Sequence, residues 1–284
     1  MIFVSDPKII LIKKKGWIVK MKKTKNIIWI IALILVIILI GIVAYGYYKN
    51  ATMEVKNPIA TMEVENYGTI KMELYPENAP ETVANFIALA NRGFYDGLTF
   101  HRIVKDFMIQ GGDPNGDGTG SAKISDLKDG GEETAYSIKG EFISNGVNNK
   151  LKFEEGTVAM ARSDYMSYSP SLAEESYNSG SSQFFIMTKE NASLNGQYTS
   201  FGKVIEGMDI VHKIENAEVK VADNSEETGN TEVSTPVNPP KITSIKVETN
   251  GVEYGLPETL TPFDYMSWLY KQYGIDPSAL PTGE

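Results

Sequence analysis

The sequence predicts a mostly β domain with two or three helices, preceded by one membrane-spanning helix. Short stretches that alternate apolar and polar residues recur through the middle of the chain, as they do in half-buried strands. Apolar residues at helical spacing, bounded by proline and glycine, occur at only a few places. Residues 27–48 carry no charged side chain and are almost all apolar, which predicts the membrane helix.

The net charge of −9 conceals a strong asymmetry between the two parts of the chain. Residues 1–50 hold nine lysines and one aspartate, so the rest of the chain must be strongly acidic. An acidic domain argues against nucleic acid as the main partner. The absence of cysteine excludes disulfides, cysteine nucleophiles and thiolate metal sites. With His101 and His212 as the two histidines, a multi-histidine zinc site is also excluded, so we expect no metal.

Residues 1–26 form a basic segment, within which Met21 is an alternative start to Met1. The apolar stretch 27–48 would form a helix of about 33 Å, long enough to cross a bilayer. The lysines precede this stretch, so we expect a single-pass cell-membrane protein whose later residues lie on the extracytoplasmic side. The length of the apolar core favours an uncleaved anchor, and a cleaved signal with a weak site near Ala44 is the alternative.

After a linker at 49–57, residues 61–65 and 69–75 alternate like the two strands of a hairpin. A helix should follow, because Pro80 suits a first helical position and Gly93 suits the residue after a last turn. Residues 100–110 form the next strand, in which Arg102 and Gln110 occupy positions that would otherwise be buried. A cationic fork, large apolar side chains and an amide so close together predict a concave site for a neutral, partly apolar ligand.

The later part of the chain contains predicted strands at 156–163 and 184–188, separated by a polar loop insertion at 164–177. A second helix is predicted at about 207–215. The acidic stretch 221–240 is rich in Ser, Thr, Asn and Pro and is predicted to be disordered. Residues 241–248 alternate again and would add the last strand of the sheet.

The tail, residues 249–284, carries one further helix signal, with Thr261 as its cap and Pro262 at its start. This short amphipathic helix is rich in aromatic residues. Docking on the parent domain is the first interpretation, and binding to a partner or to the membrane surface is the alternative.

Three ordered blocks resemble the cyclophilin-type peptidyl-prolyl isomerases. They are FHRIVKDFMIQGGDP at 100–114, NSGSSQFFI at 178–186 and FGKVIEGM at 201–208. The resemblance extends over residues 58–220 and a last strand near 241–248, so it implies an isomerase domain at 58–248. The fold that it implies is a closed, eight-stranded antiparallel barrel capped by two helices.

The resemblance also implies an activity, the rotation of the peptide bond before proline in secreted or folding polypeptides, and it implies no cofactor. Its catalytic residues would be Arg102, as donor to the twisted amide nitrogen, Gln110, which orients that arginine, and Phe107. The implied substrate-binding residues are Met108, Ala161, Arg162, Gln183, Phe185, Leu194, Tyr198 and Gly118. A tethered proline-binding module or chaperone without significant turnover is the alternative, and a scaffold acting through its linker and tail is a third hypothesis.

Two positions depart from the family members best known for binding cyclosporin. Ser193 stands where those proteins have tryptophan, and Tyr198 stands where they have histidine. The loss of the large apolar face and N–H donor of tryptophan predicts weak cyclosporin binding. Arg162 replaces an asparagine found in many members and adds a cation at the rim of the groove. His101 is interpreted as a structural residue rather than a base.

Overall fold

The computed structural model describes residues 27–48, 56–221 and 231–276. The described residues fall into two units, one within residues 1–55 and one within residues 56–284. In the first unit, helix α1 (Ile27–Tyr48) is 22 residues long and apolar enough to cross a membrane. The predicted basic segment at 1–26 and most of the predicted linker at 49–57 lie outside the described residues.

The second unit is built around an eight-stranded antiparallel sheet. The β-strands in chain order are β1 Ile59–Val64, β2 Gly68–Leu74, β3 Phe100–Val104, β4 Met108–Gly111, β5 Thr157–Met160, β6 Phe184–Met187, β7 Ser200–Glu206, β8 Val219–Val221, β9 Val233–Pro236 and β10 Ile242–Glu248. Across the main sheet their order is β10-β1-β2-β7-β5-β6-β4-β3, and β8 pairs with β9 separately.

Both faces of the central strands are buried, and each face supports its own apolar cluster. In β6, Phe184 and Ile186 belong to the main core, whereas Phe185 and Met187 belong to a second, smaller cluster. In β5, Ala159 lies in the second cluster while its neighbours lie in the main core. This division follows from the alternation of side chains along a strand. The second cluster therefore lies on the opposite face of the sheet from the main core.

The helices of the second unit are α2 Pro80–Asn91, α3 Ile124–Leu127, α4 Ala173–Tyr177, α5 Met208–Glu215 and α6 Tyr265–Gln272. Helices α2 and α5 contribute buried side chains to the main core, including Phe86 of α2, whose ring packs edge-on against Phe184 at 5.6 Å. Two helices therefore pack against the sheet, and both begin within one residue of their predicted positions.

The prediction of a closed barrel was wrong, because the sheet is curled but open between β10 and β3. The residues that immediately precede these two strands, Thr99 and Lys241, form an isolated bridge instead of a continuous ladder. Strand β10 starts at Ile242, whose N–H donates to the carbonyl of Leu98, before β3 begins. The Pro240 carbonyl accepts from the Phe100 N–H at 2.9 Å, but Pro240 has no N–H to donate in return, so the ladder does not continue.

The prediction of disorder across 221–240 was wrong for the residues of this stretch that the structure describes. Val221 ends β8, and Val233–Pro236 forms β9, with register pairs from Val219 with Pro236 to Val221 with Val233. Ser234 and Pro236 are buried, so β9 has the tertiary contacts that its polar composition did not predict. Residues 222–230 lie outside the described residues.

The tail helix begins later than predicted. The cap is Asp264, whose carboxylate accepts from the Ser267 N–H at 2.9 Å, rather than Thr261. The described part of the tail, 249–276, belongs to the same compact unit as the sheet. Leu260 and Ser137 exchange two backbone hydrogen bonds of 2.8 and 3.0 Å. The predicted loop insertion at 164–177 contains α4 and two short 3-10 turns, and its first turn meets aromatic residues of the tail.

Candidate functional site

The site begins in the β3–β4 hairpin, where a bulge sets the direction of the side chains. Phe100 pairs with Gly111 and Arg102 pairs with Gln110, so His101 is an extra residue with no opposite number. Because of this bulge, Phe100 and Ile103 both reach the main core, although they are three residues apart. Arg102 and Gln110 are direct cross-strand neighbours, so their side chains share one face.

A pocket of about 180 Å³ opens on the face that carries the second apolar cluster. Strand register explains its composition, because Arg102, Gln110, Phe185 and Ala159 are successive partners across β3, β4, β6 and β5. The pocket is lined by Arg102, Phe107, Met108, Gln110, Ala161, Arg162, Phe185, Leu194 and Tyr198. Six of the nine lining residues are thus apolar or aromatic, and the other three supply two guanidinium groups and an amide.

Aromatic rings form the floor and one wall of this pocket. Phe153 is buried and stacks on Phe185, with ring centroids 6.0 Å apart and an angle of 21°. The Tyr198 ring meets Phe185 edge-on at 5.8 Å. The Arg162 guanidinium lies over Tyr198, 4.4 Å from the ring centroid, and donates to the Gln197 carbonyl and the Ser176 hydroxyl. Arg162 is therefore held in place instead of extending freely from the rim.

A chain of hydrogen bonds links the arginine to an adjoining cavity of about 150 Å³. Arg102 Nη1 donates to Gln110 Oε1 at 3.3 Å, and Gln110 Nε2 donates to Gln183 Oε1 at 2.9 Å. Gln183 Nε2 in turn donates to the carbonyls of Gly118 and Gly120, at 3.1 and 2.9 Å. Because two carbonyls accept from Gln183, the orientations of both amides are determined along the chain.

Arg102 also forms a bidentate ion pair with Glu232, the residue that precedes β9. Nε donates to Oε1 at 2.7 Å and Nη2 donates to Oε2 at 2.9 Å. This pairing holds the pKa of Glu232 below its usual value, chiefly through the hydrogen bonds from Arg102. Glu232 lines neither of the two cavities described above.

The turn between β3 and β4 is tied to α5. Asp106 has a φ of 57°, and its N–H donates to the Glu215 carboxylate at 2.8 Å. The ring of His212 lies between two carboxylates, with Nδ1 2.9 Å from Glu215 and Nε2 2.6 Å from Glu155. Hydrogen bonds to Glu215 and then to Glu155 raise the pKa of His212. Phe107, which follows Asp106, is thereby positioned at the pocket.

His101, the extra residue of the bulge, does not line the pocket. It is 7% exposed, and burial is the main reason that its pKa is lowered. The structural role expected from the sequence for this buried ring in the bulge stays a prediction. Within the described ranges, 27–48, 56–221 and 231–276, no group of three or more acidic or histidine side chains forms a candidate metal site.

The structure brings nine of the eleven predicted site residues together around the larger pocket. The other two, Gly118 and Gln183, line the adjoining cavity and join the first through Gln110. Sequence reasoning missed Phe153, which lies in a polar loop without periodicity, and Glu232, which is 130 residues from its partner. No local signal in the sequence points to either residue.

The fold and the site together define a β-sheet protein with a concave, partly apolar pocket, in which the guanidinium of Arg102 is held in place by hydrogen bonds. The family model "Cyclophilin type peptidyl-prolyl cis-trans isomerase/CLD" matches residues 59–247. The chain belongs to this family, whose activity is the cis–trans isomerisation of peptidyl-prolyl bonds.

Known relatives support this assignment. Peptidyl-prolyl cis-trans isomerase B of Bacillus subtilis is 40% identical over 156 residues, which cover 55% of this chain and 90% of that protein. Peptidyl-prolyl cis-trans isomerase 9 of Schizosaccharomyces pombe is 36% identical over 180 residues, and the match covers 63% of this chain but only 24% of that protein. A Cryptosporidium parvum cyclophilin type isomerase, solved in the presence of the dipeptide Ala-Pro, aligns with a TM-score of 0.51 and 28% identity, covering 67% of this chain and 98% of that one.

Proposed function

We propose that the chain accelerates X-Pro rotation by arginine-assisted stabilisation of the twisted amide, and that its clients are extracytoplasmic polypeptides. The observation that carries the mechanism is the placement of Arg102 and Gln110 at one end of an apolar pocket. The proline ring of a client would occupy the apolar part, among Phe107, Met108 and Phe185. Its preceding amide would then lie beside the guanidinium.

The chemistry requires no nucleophile. Rotation about a peptide bond has a barrier of roughly 18–20 kcal/mol, because the C–N bond has partial double-bond character. In the twisted transition state the nitrogen regains its lone pair, so a donor directed at that nitrogen stabilises the transition state more than the ground state. An acceleration on the order of 10⁵ requires about 7 kcal/mol of such differential stabilisation.

The site contains groups suited to each part of this task. The Arg102 guanidinium has donors beyond those that Glu232 occupies. Gln110 accepts from Arg102 and is itself held by Gln183, so its amide is preorganised. The apolar walls favour the twisted amide, which is less charge-separated than the planar one.

The mechanism can be tested with the full chain in detergent on an Ala-Pro peptide. Arg102→Ala should lower kcat/KM by at least two orders of magnitude, because it removes the donor to the amide nitrogen. Arg92→Ala is the matched control, since Arg92 forms a surface pair with Asp129. Equal activity of wild type and Arg102→Ala would contradict the mechanism. A folded wild type without turnover would favour the alternative, a proline-segment binding module.

The proposed location of the clients is supported by α1 and the lysines before it. An apolar helix of this length can span a bilayer, and lysines on its N-terminal side favour a cytoplasmic N-terminus. Because the chain has no cysteine, Glu190→Cys would provide a single exposed thiol in the second unit. We expect a membrane-impermeant maleimide to label this thiol on intact cells, with the protein retained in membranes after alkaline washing. Labelling only after lysis would contradict the topology, and release by alkali would contradict the anchor.

A further inference from the structure

We infer that Glu232 is a positioning residue for the reaction, and that it holds the Arg102 guanidinium in the orientation that serves the pocket. This inference rests on the proposed function of Arg102. It adds to the isomerase site a residue that immediately precedes β9 and lies outside the three sequence blocks that carry the family resemblance.

Arg102 forms two short hydrogen bonds to Glu232 and one longer hydrogen bond to Gln110. The two bonds to Glu232 are 2.7 and 2.9 Å long, whereas the bond from Nη1 to Gln110 is 3.3 Å. Bidentate pairing of a planar guanidinium with a carboxylate fixes both the position and the plane of the fork. Glu232 therefore restrains Arg102 more strongly than Gln110, the residue to which the family resemblance assigns this role.

The edge of the guanidinium that Glu232 occupies is compatible with catalysis. Glu232 accepts from Nε and Nη2, and Nη1 remains directed toward Gln110 and the Met108 sulfur, both of which line the pocket. Glu232 itself does not line the pocket. The Glu232 carboxylate thus binds Nε and Nη2 and leaves Nη1 directed toward residues of the pocket. It can therefore orient Arg102 without occupying the substrate site.

Strand β9, which follows Glu232, is held by its pairing with β8 and by its packing against β3. Strands β8 and β9 pair in register, and the Val237 N–H donates to the Glu218 carbonyl at 2.8 Å. Strand β9 packs beside β3, the strand of Arg102, and Ser234 is buried two residues after Glu232. Backbone contacts, and not only the ion pair, therefore place the carboxylate at the arginine.

The test is a double-mutant cycle in the full chain in detergent, measured on an Ala-Pro peptide. Glu232→Ala should lower kcat about tenfold and leave KM within about twofold, because the pocket is unchanged while the donor loses its orientation. Glu232→Gln, which keeps the length and one acceptor oxygen, should recover part of the loss. Glu206→Ala, which removes a surface pair with Lys71, should have wild-type activity.

The cycle distinguishes positioning from a general structural effect. In the Arg102→Ala background, adding Glu232→Ala should cause no further loss, because a residue that acts through Arg102 has nothing left to orient. The inference is overturned if Glu232→Ala has unchanged or increased kcat, the latter indicating an inhibitory contact. It is also overturned if the loss is equal in both backgrounds.

A second readout does not depend on turnover. The chain has three arginines, so arginine-labelled protein gives few Nε–H signals by NMR, and Arg102→Ala assigns the relevant one. We expect slow exchange of the Arg102 Nε–H with water in the wild type and fast exchange in Glu232→Ala. If the wild type proves inactive, the proposed function fails, but the exchange rate of the Arg102 Nε–H still decides whether Glu232 holds Arg102. Fast exchange in wild type would show that Glu232 does not hold the fork.

Discussion

Arg102 lies where two kinds of restraint meet. Gln110 and Gln183 connect it to the backbone carbonyls near Gly118, and Glu232 holds its opposite edge. A long, flexible side chain loses roughly 2 kcal/mol of rotamer entropy when it is fixed in one conformation. Since the folded structure has already fixed Arg102, that cost does not recur when a client binds.

Ser193 directly precedes Leu194, which lines the pocket. Its side chain is exposed, and its hydroxyl donates to Asn191 at 2.6 Å. It offers neither a broad apolar face nor an N–H donor, which is the physical basis for the weak cyclosporin binding that we propose.

Ser193→Trp should strengthen inhibition by cyclosporin about tenfold, equivalent to about 1.4 kcal/mol. The added ring supplies apolar area beside the pocket and a donor for the ligand. Inhibition of peptide isomerisation at a series of cyclosporin concentrations measures the effect, with Ser167→Trp on an exposed turn as the control. Sub-micromolar inhibition of the wild type would contradict the prediction.

Among the elements, α2 receives its N-terminal cap from a distant part of the chain. Ala79 at the N-cap has no side-chain acceptor, and the Glu141 carboxylate accepts instead from the N–H groups of Glu81 and Thr82. It also accepts from the Thr82 hydroxyl at 2.7 Å. Glu141 is buried, and desolvation raises its pKa even though these hydrogen bonds favour the ionised form.

Glu141→Ala should destabilise the second unit by about 1–3 kcal/mol, because buried donors lose their acceptor. Urea unfolding followed by circular dichroism measures the change in unfolding free energy. Glu133→Ala is the control, since its carboxylate is exposed and pairs with Lys123 on the surface. We expect it to change stability by less than about 0.5 kcal/mol. Equal effects of the two substitutions would show that Glu141 does not cap α2.

Helix α5 should give the stability a recognisable pH dependence through His212. The raised pKa of His212 means that its contribution is fully present below the usual histidine pKa of about 6.5. That contribution is lost as the pH rises through the raised value, because the neutral ring no longer pairs with two carboxylates.

The comparison of wild type with His212→Gln isolates this effect. The difference in unfolding free energy should be largest near pH 5.5 and should decrease by pH 8.5, as urea titrations at both values would measure. A difference that grows with pH would have the wrong sign. His101 titrates in both proteins, so its lowered pKa cancels in the comparison.

The sequence predicted α2 because its signals are local, but it predicted one strand over residues 100–110, where the structure has the two strands β3 and β4 joined by a turn. Pro80 and Gly93 bound the helix, and Arg102 and Gln110 interrupt an apolar strand. The hairpin β8–β9 gave no such signal, because its strands are short and polar and depend on packing against β3. The opening of the sheet depends on where two distant strands start, which composition and periodicity do not specify.

At the scale of the whole molecule, the tail is part of the second unit and not a separate appendage. Leu260 and Ser137 exchange backbone hydrogen bonds, and Ser137 is buried. The rings of Phe263 and Tyr265 contact Tyr165 of the 164–177 insertion, with centroids 5.1 and 6.0 Å apart. The tail thereby braces the insertion that follows Arg162 and Ser163 at the adjoining cavity.

Deleting residues 249–284 should therefore lower the Tm by about 5 °C, because the backbone groups of Ser137 and the face of Tyr165 lose their partners. Thermal unfolding of the full and shortened chains measures this shift. Tyr273→Ala, at a side chain that is 75% exposed, should leave the Tm unchanged and serves as the control. An unchanged Tm after the deletion would mean that the tail does not stabilise the domain.

The pairing of β1 with β10 has a consequence for how the protein is made. Ile59 lies opposite Glu248, so the first strand of the sheet cannot gain its outer neighbour until the last strand has been synthesised. Contacts between such distant segments slow folding, because a long loop must close before they form. During synthesis the chain therefore carries an unpaired strand edge on β1 until β10 has emerged.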